Sequence, residues 1–169
     1  MNFLEQLVSE WYEYNGYFLQ RNIKVGYRAK GGYECELDIV GFHPVEKHLV
    51  HIEPSTDSHA WAKREARFDK KFTAGRKYIP GLFEGLKIPK KIEQIAVLGY
   101  MRSAPSKATV GGGRILTVAE LLSDIFAYLD ARPSRGPGKW IPEKYPMLRL
   151  LQYVALSHKR GVIFKGVSQ

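Results

Sequence analysis

The sequence predicts an α/β fold in which a mixed β-sheet is flanked by helices. Three observations lead to this prediction. Residues 17–53 contain three strand-like segments separated by turn residues, as expected of an antiparallel meander. The nearly continuous apolar run IEQIAVLGY, Ile92–Tyr100, is typical of a central strand buried on both faces. Amphipathic helical segments alternate with these strands, which is the pattern of a layered α/β sandwich.

The helices are predicted from spacing and capping signals. Phe3 and Leu7 recur at helical spacing in the first segment, which Asn15-Gly16 ends. Thr56-Asp57-Ser58 offers N-cap side chains for a long second helix that Pro80-Gly81 should close. Thr117 to Glu120 forms a capping box, and Pro146 suits the first turn of a last helix. The four predicted helices are residues 2–14, 58–78, 117–130 and 146–158.

The remaining segments predict strands and connections. The predicted strands are residues 17–29, 34–42, 48–53, 92–100 and 114–116. Gly111–Gly113 is interpreted as a loop joining elements, with phosphate binding as the less favoured alternative. Residues 133–140, PSRGPGKW, are interpreted as a linker or surface loop. We interpret residues 1–169 as one domain with a core over about 3–130 and a basic helical extension over about 131–169.

Length and composition exclude several classes of protein. The chain has 169 residues, of which 44% are hydrophobic, enough for a packed core. No apolar run reaches the ~18 residues of a membrane span, and the first residues lack the pattern of a signal peptide. The single cysteine excludes an internal disulfide and a cysteine-rich metal site. The sequence therefore indicates a cytoplasmic protein that does not enter a membrane.

The net charge of +9 is spread unevenly along the chain. Residues 1–62 carry −4, residues 63–91 carry +7, residues 92–131 carry −1 and residues 132–169 carry +7. Basic surface near an acidic region suits a polyanion whose phosphates meet lysines and arginines. The alternative is a basic protein with no such partner.

Two carboxylates interrupt the most strand-like segments. Asp38 lies within the second predicted strand, and Glu53 ends the third. Side chains at the end of a strand can reach a ligand, and two carboxylates brought together there repel unless a cation lies between them. Hard oxygen ligands favour Mg²⁺ or Mn²⁺ over zinc. The alternative is an edge hairpin with solvated acids on its outer face.

Glu10 is a third acid in an unusual position. Counting 100° per residue places Glu10 in the middle of the apolar face of the first helix. A carboxylate there is costly unless it is paired, hydrogen-bonded or close to a metal. A hydrogen bond to a neighbouring tyrosine or arginine is the alternative to a metal site.

These residues, in this order of elements, resemble the PD-(D/E)XK nuclease superfamily over about residues 3–130. The resemblance implies a restriction-endonuclease-like, Holliday-junction-resolvase-like fold with a four-stranded mixed core and helices around it. It also implies that Asp38 and Glu53 bind the metal, Mg²⁺ or Mn²⁺, together with the carbonyl of Pro54. Glu10 matches the helix acid found in several branches of the superfamily.

Ser55 departs from that pattern, because the motif has lysine two residues after the second acid. A hydroxyl brings no positive charge, so the lysine has moved to another element, the enzyme is weak, or catalysis has been lost. Arg64 and Lys71 border the inward face of the second helix, whereas Lys63 and Lys70 point away from it. The helical spacing therefore favours Arg64 or Lys71 for a migrated charge, with a solvated flank as the alternative.

The sequence as a whole leads to the hypothesis of a divalent-metal-dependent nuclease acting on DNA, double-stranded or branched. The alternatives are a catalytically silent nucleic-acid-binding module on the same fold and a basic scaffold whose acids are structural. The oligomeric state, a homodimer included, stays open. The residues expected to bind the nucleic-acid backbone are Lys63, Arg67, Lys70, Arg76 and Lys77.

Overall fold

The computed structural model describes residues 2–99, 107–131 and 140–159. The chain divides into two compact units, residues 1–118 and 119–169, so the division falls at the start of the third helix. The elements are α1 Phe3–Tyr14, β1 Phe18–Tyr27, β2 Tyr33–His43, β3 His48–Ser55, α2 Trp61–Leu82, β4 Ile92–Leu98, β5 Thr109–Val110, β6 Gly113–Thr117, α3 Val118–Ala131 and α4 Pro146–Lys159. Most of the predicted linker over 133–140 lies outside the described residues.

A six-stranded mixed sheet forms the centre of the first unit. Its strand order is β1-β2-β3-β4-β6-β5. The first three strands form the predicted antiparallel meander. Strands β4 and β6 extend the sheet in parallel to β3, and β5 closes it as an antiparallel edge. The prediction of a mixed α/β sheet with a central strand from Ile92 is confirmed, although the strand ends at Leu98 and the predicted last residue, Tyr100, lies outside the described residues. The sheet has one more strand than the five that the sequence predicted, because the two-residue β5 is too short to give a sequence signal.

Both helices of the first unit pack on this sheet through apolar faces. Helix α1 begins with a capping box in which Asn2 and Glu5 exchange hydrogen bonds, and it buries Leu4, Leu7 and Val8. Helix α2 buries Phe68 and Phe72 against side chains of β4, β5 and β6. Fully burying a side chain of this size contributes about 1.5–3 kcal/mol. The burial of these helices fixes which residues of α2 face the sheet.

The ends of α2 differ from the prediction. Thr56, Asp57 and Ser58 do not cap it, because the Asp57 carboxylate is bound by Ser55 and by arginine side chains. The helix begins at Trp61, and Ala60 occupies the N-cap without a side-chain hydrogen bond. It also continues through Pro80 to Leu82. Proline costs the helix one amide hydrogen bond and crowds the carbonyl four residues earlier, but the buried Ile79 holds this last turn in the core.

The second unit contains α3 and α4. Helix α3 buries Leu121, Ile125 and Leu129, and α4 begins at Pro146 as predicted. Within this unit Lys159 forms an ion pair of 2.8 Å with Asp130. Among the described helices, not one combines the length and the apolar character needed to cross a membrane.

Candidate functional site

Asp38, Glu53 and Lys71 meet between the sheet and α2, and we call these three residues the acid cluster. Asp38 extends from the middle of β2, and Glu53 lies near the end of β3. Lys71 extends from α2, with Nζ 2.6 Å from Asp38 Oδ1 and 2.7 Å from Glu53 Oε2. Of the charged helix residues that the sequence offered, Lys71 is therefore the one that lies at the two acids.

The pairing of β2 with β3 ends next to Asp38. The β1–β2 register is the same on both sides of Asp38, at Arg21↔Ile39 and Ile23↔Leu37, whereas the last β2–β3 pair is Ile39↔Ile52. Asn22, which lies across from Asp38, has a left-handed backbone with φ 53°, a conformation that asparagine tolerates better than most residues. The amide of Asp38 donates to Glu53 Oε1 over 3.1 Å. The strands thus separate where the carboxylates meet.

His51 and Gln94 hold the Glu53 carboxylate from behind. His51 Nε2 lies 2.8 Å from Glu53 Oε1, and Gln94 Nε2 lies 3.3 Å from His51 Nδ1. Gln94 also donates to the Phe72 carbonyl over 2.7 Å and accepts from Arg76 over 2.6 Å. Because an amide nitrogen donates to Nδ1, the ring proton is assigned to Nε2, which donates to Glu53.

Gly75 allows α2 to approach His51. A Cβ at this position would overlap the imidazole of His51 and come within 3.2 Å of Gln94 Nε2. Gly75 itself is buried in the helix, where glycine costs about 1 kcal/mol relative to alanine. The absence of a side chain at this position therefore makes room for the histidine beneath the acid cluster.

With all three groups ionised, the acid cluster carries one more negative charge than positive. Burial, and then the adjacent Glu53, raise the pKa of Asp38 to about 7, although Lys71 opposes the shift. Burial alone would lower the pKa of Lys71, but Glu53 and Asp38 outweigh it and hold this pKa above its usual value. Burial and the charge of Lys71 lower the pKa of His51 to about 3, so the imidazole is neutral. Lys71 is thus a charged donor, and a site with this excess of acid favours a further cation.

The donors at this point suit a hard divalent ion. Ser55 O accepts from Gly99 N over 2.7 Å, towards β4. Successive strand carbonyls point to opposite sides, so the Pro54 carbonyl is expected to point to where β2 and β3 separate. Two carboxylates and one carbonyl are oxygen ligands of the kind that Mg²⁺ accepts, with water completing the shell. Within the described residues, no group of three or more His, Cys, Asp and Glu side chains is placed to hold one metal ion.

Glu10 is buried, as the position on the apolar face of α1 predicted. Its Oε1 accepts a hydrogen bond of 2.9 Å from Gln6 on the same helix. The hydrogen bonds and ion pairs of Asp38 and Glu53 involve Lys71, His51 and one another. The structure thus brings Asp38 and Glu53 together and does not place Glu10 in that group.

Ser55 belongs to a second group with Asp57, Arg64 and Arg67, which we call the arginine cluster. Ser55 Oγ donates to Asp57 Oδ2 over 2.5 Å. Arg64 donates to the Asp57 carboxylate over 3.2 Å and to its carbonyl over 2.5 Å, and Arg67 pairs with it at 2.5 Å. Burial raises the pKa of Asp57. Hydrogen bonds from Ser55, His59 and Arg64 and the charge of Arg67 outweigh burial and lower this pKa to about 2. Arg64 therefore holds the loop after β3 and does not contact Asp38 or Glu53.

The residues predicted to bind nucleic acid fall into two groups. Lys63 and Lys70 are exposed on α2. The other three take part in contacts within the protein: Arg67 with Asp57, Arg76 with Gln94 and Thr73, and Lys77 with Glu34. Lys63 and Lys70 are the side chains most open to a phosphate.

Sequence reasoning missed the roles of Gln94, Gly75 and Asn22. Strand alternation puts His51 on the same face as Glu53, which is a signal in the sequence that points to its role. Gln94 is an isolated polar residue inside an apolar strand, which is also visible in the sequence. The close approach at Gly75 and the backbone of Asn22 depend on tertiary packing and leave no local pattern.

Comparison of the chain with protein-family models, with curated proteins and with solved structures found no match.

Proposed function

We propose that the chain is a Mg²⁺- or Mn²⁺-dependent nuclease that hydrolyses phosphodiester bonds of DNA. We further propose a restriction-endonuclease-like site in which Lys71 of α2 takes the place of the motif lysine. The observation that carries the proposal is the position of the Lys71 ammonium, 2.6 Å and 2.7 Å from the two acids. A half-buried ammonium shared by the two carboxylates supplies the positive charge that Ser55 does not.

Charge balance supports a divalent ion at this position. Asp38, Glu53 and Lys71 sum to −1 when all are ionised, so a divalent ion would bring the site to +1 and suit an anionic phosphate. Asp38, Glu53 and the Pro54 carbonyl would hold the ion. When bound, it would lower the pKa of a water molecule and offset charge on the scissile phosphate.

The protein's own groups supply the rest of the proposed mechanism. Lys71 keeps its proton, since its pKa is raised, and therefore donates to the phosphate or to the attacking water rather than acting as a base. A preorganised donor of this kind contributes about 3–4 kcal/mol to lowering the barrier. Exposed Lys63 and Lys70 would bind the DNA backbone without reading sequence. Glu10 does not lie with Asp38 and Glu53, so the proposed mechanism gives it no role.

The same ion pairs favour a second candidate, a catalytically silent DNA-binding module. Lys71 already satisfies both acids, as a purely structural triad would. This candidate predicts DNA binding without cleavage.

The test is cleavage of single-stranded, double-stranded and branched DNA with and without Mg²⁺. Wild-type protein should cut only with the ion, and Asp38→Asn should abolish cutting while leaving DNA binding in Ca²⁺ nearly intact. Glu36→Gln is the matched control, because Glu36 is an exposed acid two residues away on β2. Binding in Ca²⁺ with no cleavage in Mg²⁺ or Mn²⁺ would favour the silent module, and equal cleavage by Asp38→Asn would refute the proposed site.

A further inference from the structure

We infer that His51 is a positioning residue that orients the Glu53 carboxylate within the proposed metal site. This inference rests on the proposed function, because it concerns how one of the proposed ligands is held. His51 is fully buried and Glu53 is 2% exposed, so water does not compete for the hydrogen bond between them.

The two oxygens of Glu53 are used differently. Oε1 accepts from His51 Nε2 at 2.8 Å and from the Asp38 amide at 3.1 Å. Oε2 lies 2.7 Å from Lys71 Nζ, on the side of the carboxylate shared with Asp38. Holding one oxygen from behind directs the other into the site. Groups that fix a metal ligand in this way typically contribute a factor of about 10–100 in metal affinity.

The orientation of His51 is in turn set by its surroundings. Gln94 donates to Nδ1, and its own amide is fixed by the Phe72 carbonyl and by Arg76. The Phe72 ring meets the imidazole edge-on at 5.3 Å between centroids. Gly75 leaves the space that the imidazole fills. A ring held on all these sides cannot turn to present its other nitrogen without breaking several contacts.

The first experiment measures Mn²⁺ affinity of the full chain by calorimetry. His51→Leu removes the donor and should weaken Mn²⁺ binding about 10–100-fold. His51→Gln keeps a donor and an acceptor on one side chain and should recover most of the affinity, which mere filling of space would not. His59→Leu is the matched control at an exposed histidine and should bind as wild type does.

Two further measurements remain informative if His51→Leu folds poorly. Gly75→Ala displaces the imidazole without removing any polar group, and it should weaken Mn²⁺ binding in the same direction. In the metal-free wild type, the ¹⁵N shifts of His51 should report the Nε2–H tautomer.

The outcomes separate the inference from the proposed function. Wild-type Mn²⁺ binding that His51→Leu leaves unchanged would overturn the inference alone, as would an Nδ1–H tautomer. A wild-type protein that neither binds Mn²⁺ nor cuts DNA would overturn the proposed function, and with it the positioning of a metal ligand.

Discussion

The acid cluster and the arginine cluster both join β3 to α2, yet their charges are balanced in opposite ways. In the acid cluster two carboxylates share Lys71, and the pKa of Asp38 is raised to about 7. In the arginine cluster two guanidinium groups share Asp57, whose pKa is lowered to about 2. The acid cluster has fewer cations than carboxylates, whereas the arginine cluster has more.

This difference explains what Ser55 does. Its hydroxyl donates to Asp57, so position 55, where the nuclease superfamily that the sequence resembles has lysine, here belongs to the arginine cluster. The positive charge beside the acids comes from the helix that follows. The comparison leads to a division of roles, in which the acid cluster is proposed for chemistry and the arginine cluster for holding the loop between β3 and α2.

The largest expected effect is on stability and comes from the arginine cluster. Arg64 is 6% exposed, and Arg64→Ala leaves Asp57 with the more exposed Arg67 as its ion-pair partner. Removing one member of a buried ion pair costs about 3–5 kcal/mol in free energy of unfolding, and the loss here should lie at the lower end of that range because Arg67 and Ser55 still bind the carboxylate. Urea denaturation measures it, with Arg67→Ala as control, because its more exposed guanidinium should contribute less than about 1 kcal/mol. Equal losses in both variants would contradict the special role of Arg64.

The next effect is on catalysis and comes from the acid cluster. Lys71→Ala should lower the cleavage rate about 10²–10³-fold, as loss of one preorganised donor does. DNA binding in Ca²⁺ should change little, because the lost interaction is made mainly in the transition state. Ca²⁺ should also stabilise Lys71→Ala more than wild type, since the two acids then lack their internal cation. Lys24→Ala, an exposed lysine on β1, is the control. Cleavage by Lys71→Ala at the wild-type rate would contradict the hypothesis that Lys71 takes the place of the motif lysine.

Local patterns predicted much of this arrangement. Alternation and turn residues gave the β1–β3 meander, and the apolar run gave β4, because these signals depend on residues near one another in sequence. Helical spacing on α2 reduced the migrated charge to Arg64 or Lys71. The choice between them needs tertiary contacts, since both border the same face and only the packed helix shows which one reaches Asp38.

The errors have a common physical cause. Thr56, Asp57 and Ser58 are good capping residues, but two arginines and Ser55 compete for the Asp57 carboxylate, and the cap is lost. Pro80 was expected to close α2, but burial of Ile79 outweighs one missing hydrogen bond. In each case a long-range contact overrides a local preference.

A smaller effect, on the pH dependence of the free energy of unfolding, tests the arginine cluster without any substrate. The pKa of Asp57 is about 2 in the folded protein against a reference of 3.8. Its contribution to stability is therefore fully present above about pH 4 and is lost as the pH falls towards 2. Urea midpoints between pH 5 and 2.5 should fall more steeply for wild type than for Asp57→Asn. Asp69→Asn, at an exposed acid of α2, should follow wild type, and parallel curves for Asp57→Asn and wild type would show that Asp57 is not the linked group.

The smallest expected effect is that of Ser55→Lys in the wild-type background. Lys71 already supplies the charge, so the second lysine should change the cleavage rate less than tenfold, or less than about 1.4 kcal/mol of barrier. Position 55 is 5% exposed, and the new ammonium would meet the Asp57 carboxylate before it could reach Asp38 or Glu53.

The informative variant is the double change Lys71→Ala with Ser55→Lys, assayed for Mg²⁺-dependent cleavage. If the two positions are equivalent around the acids, the double variant recovers part of the activity that Lys71→Ala loses. A silenced nuclease would behave differently, because Ser55→Lys alone would then produce cutting that the wild type lacks. No recovery in the double variant, with folding intact, would mean that the lysine acts only from α2 and that the arginine cluster has taken over position 55 entirely.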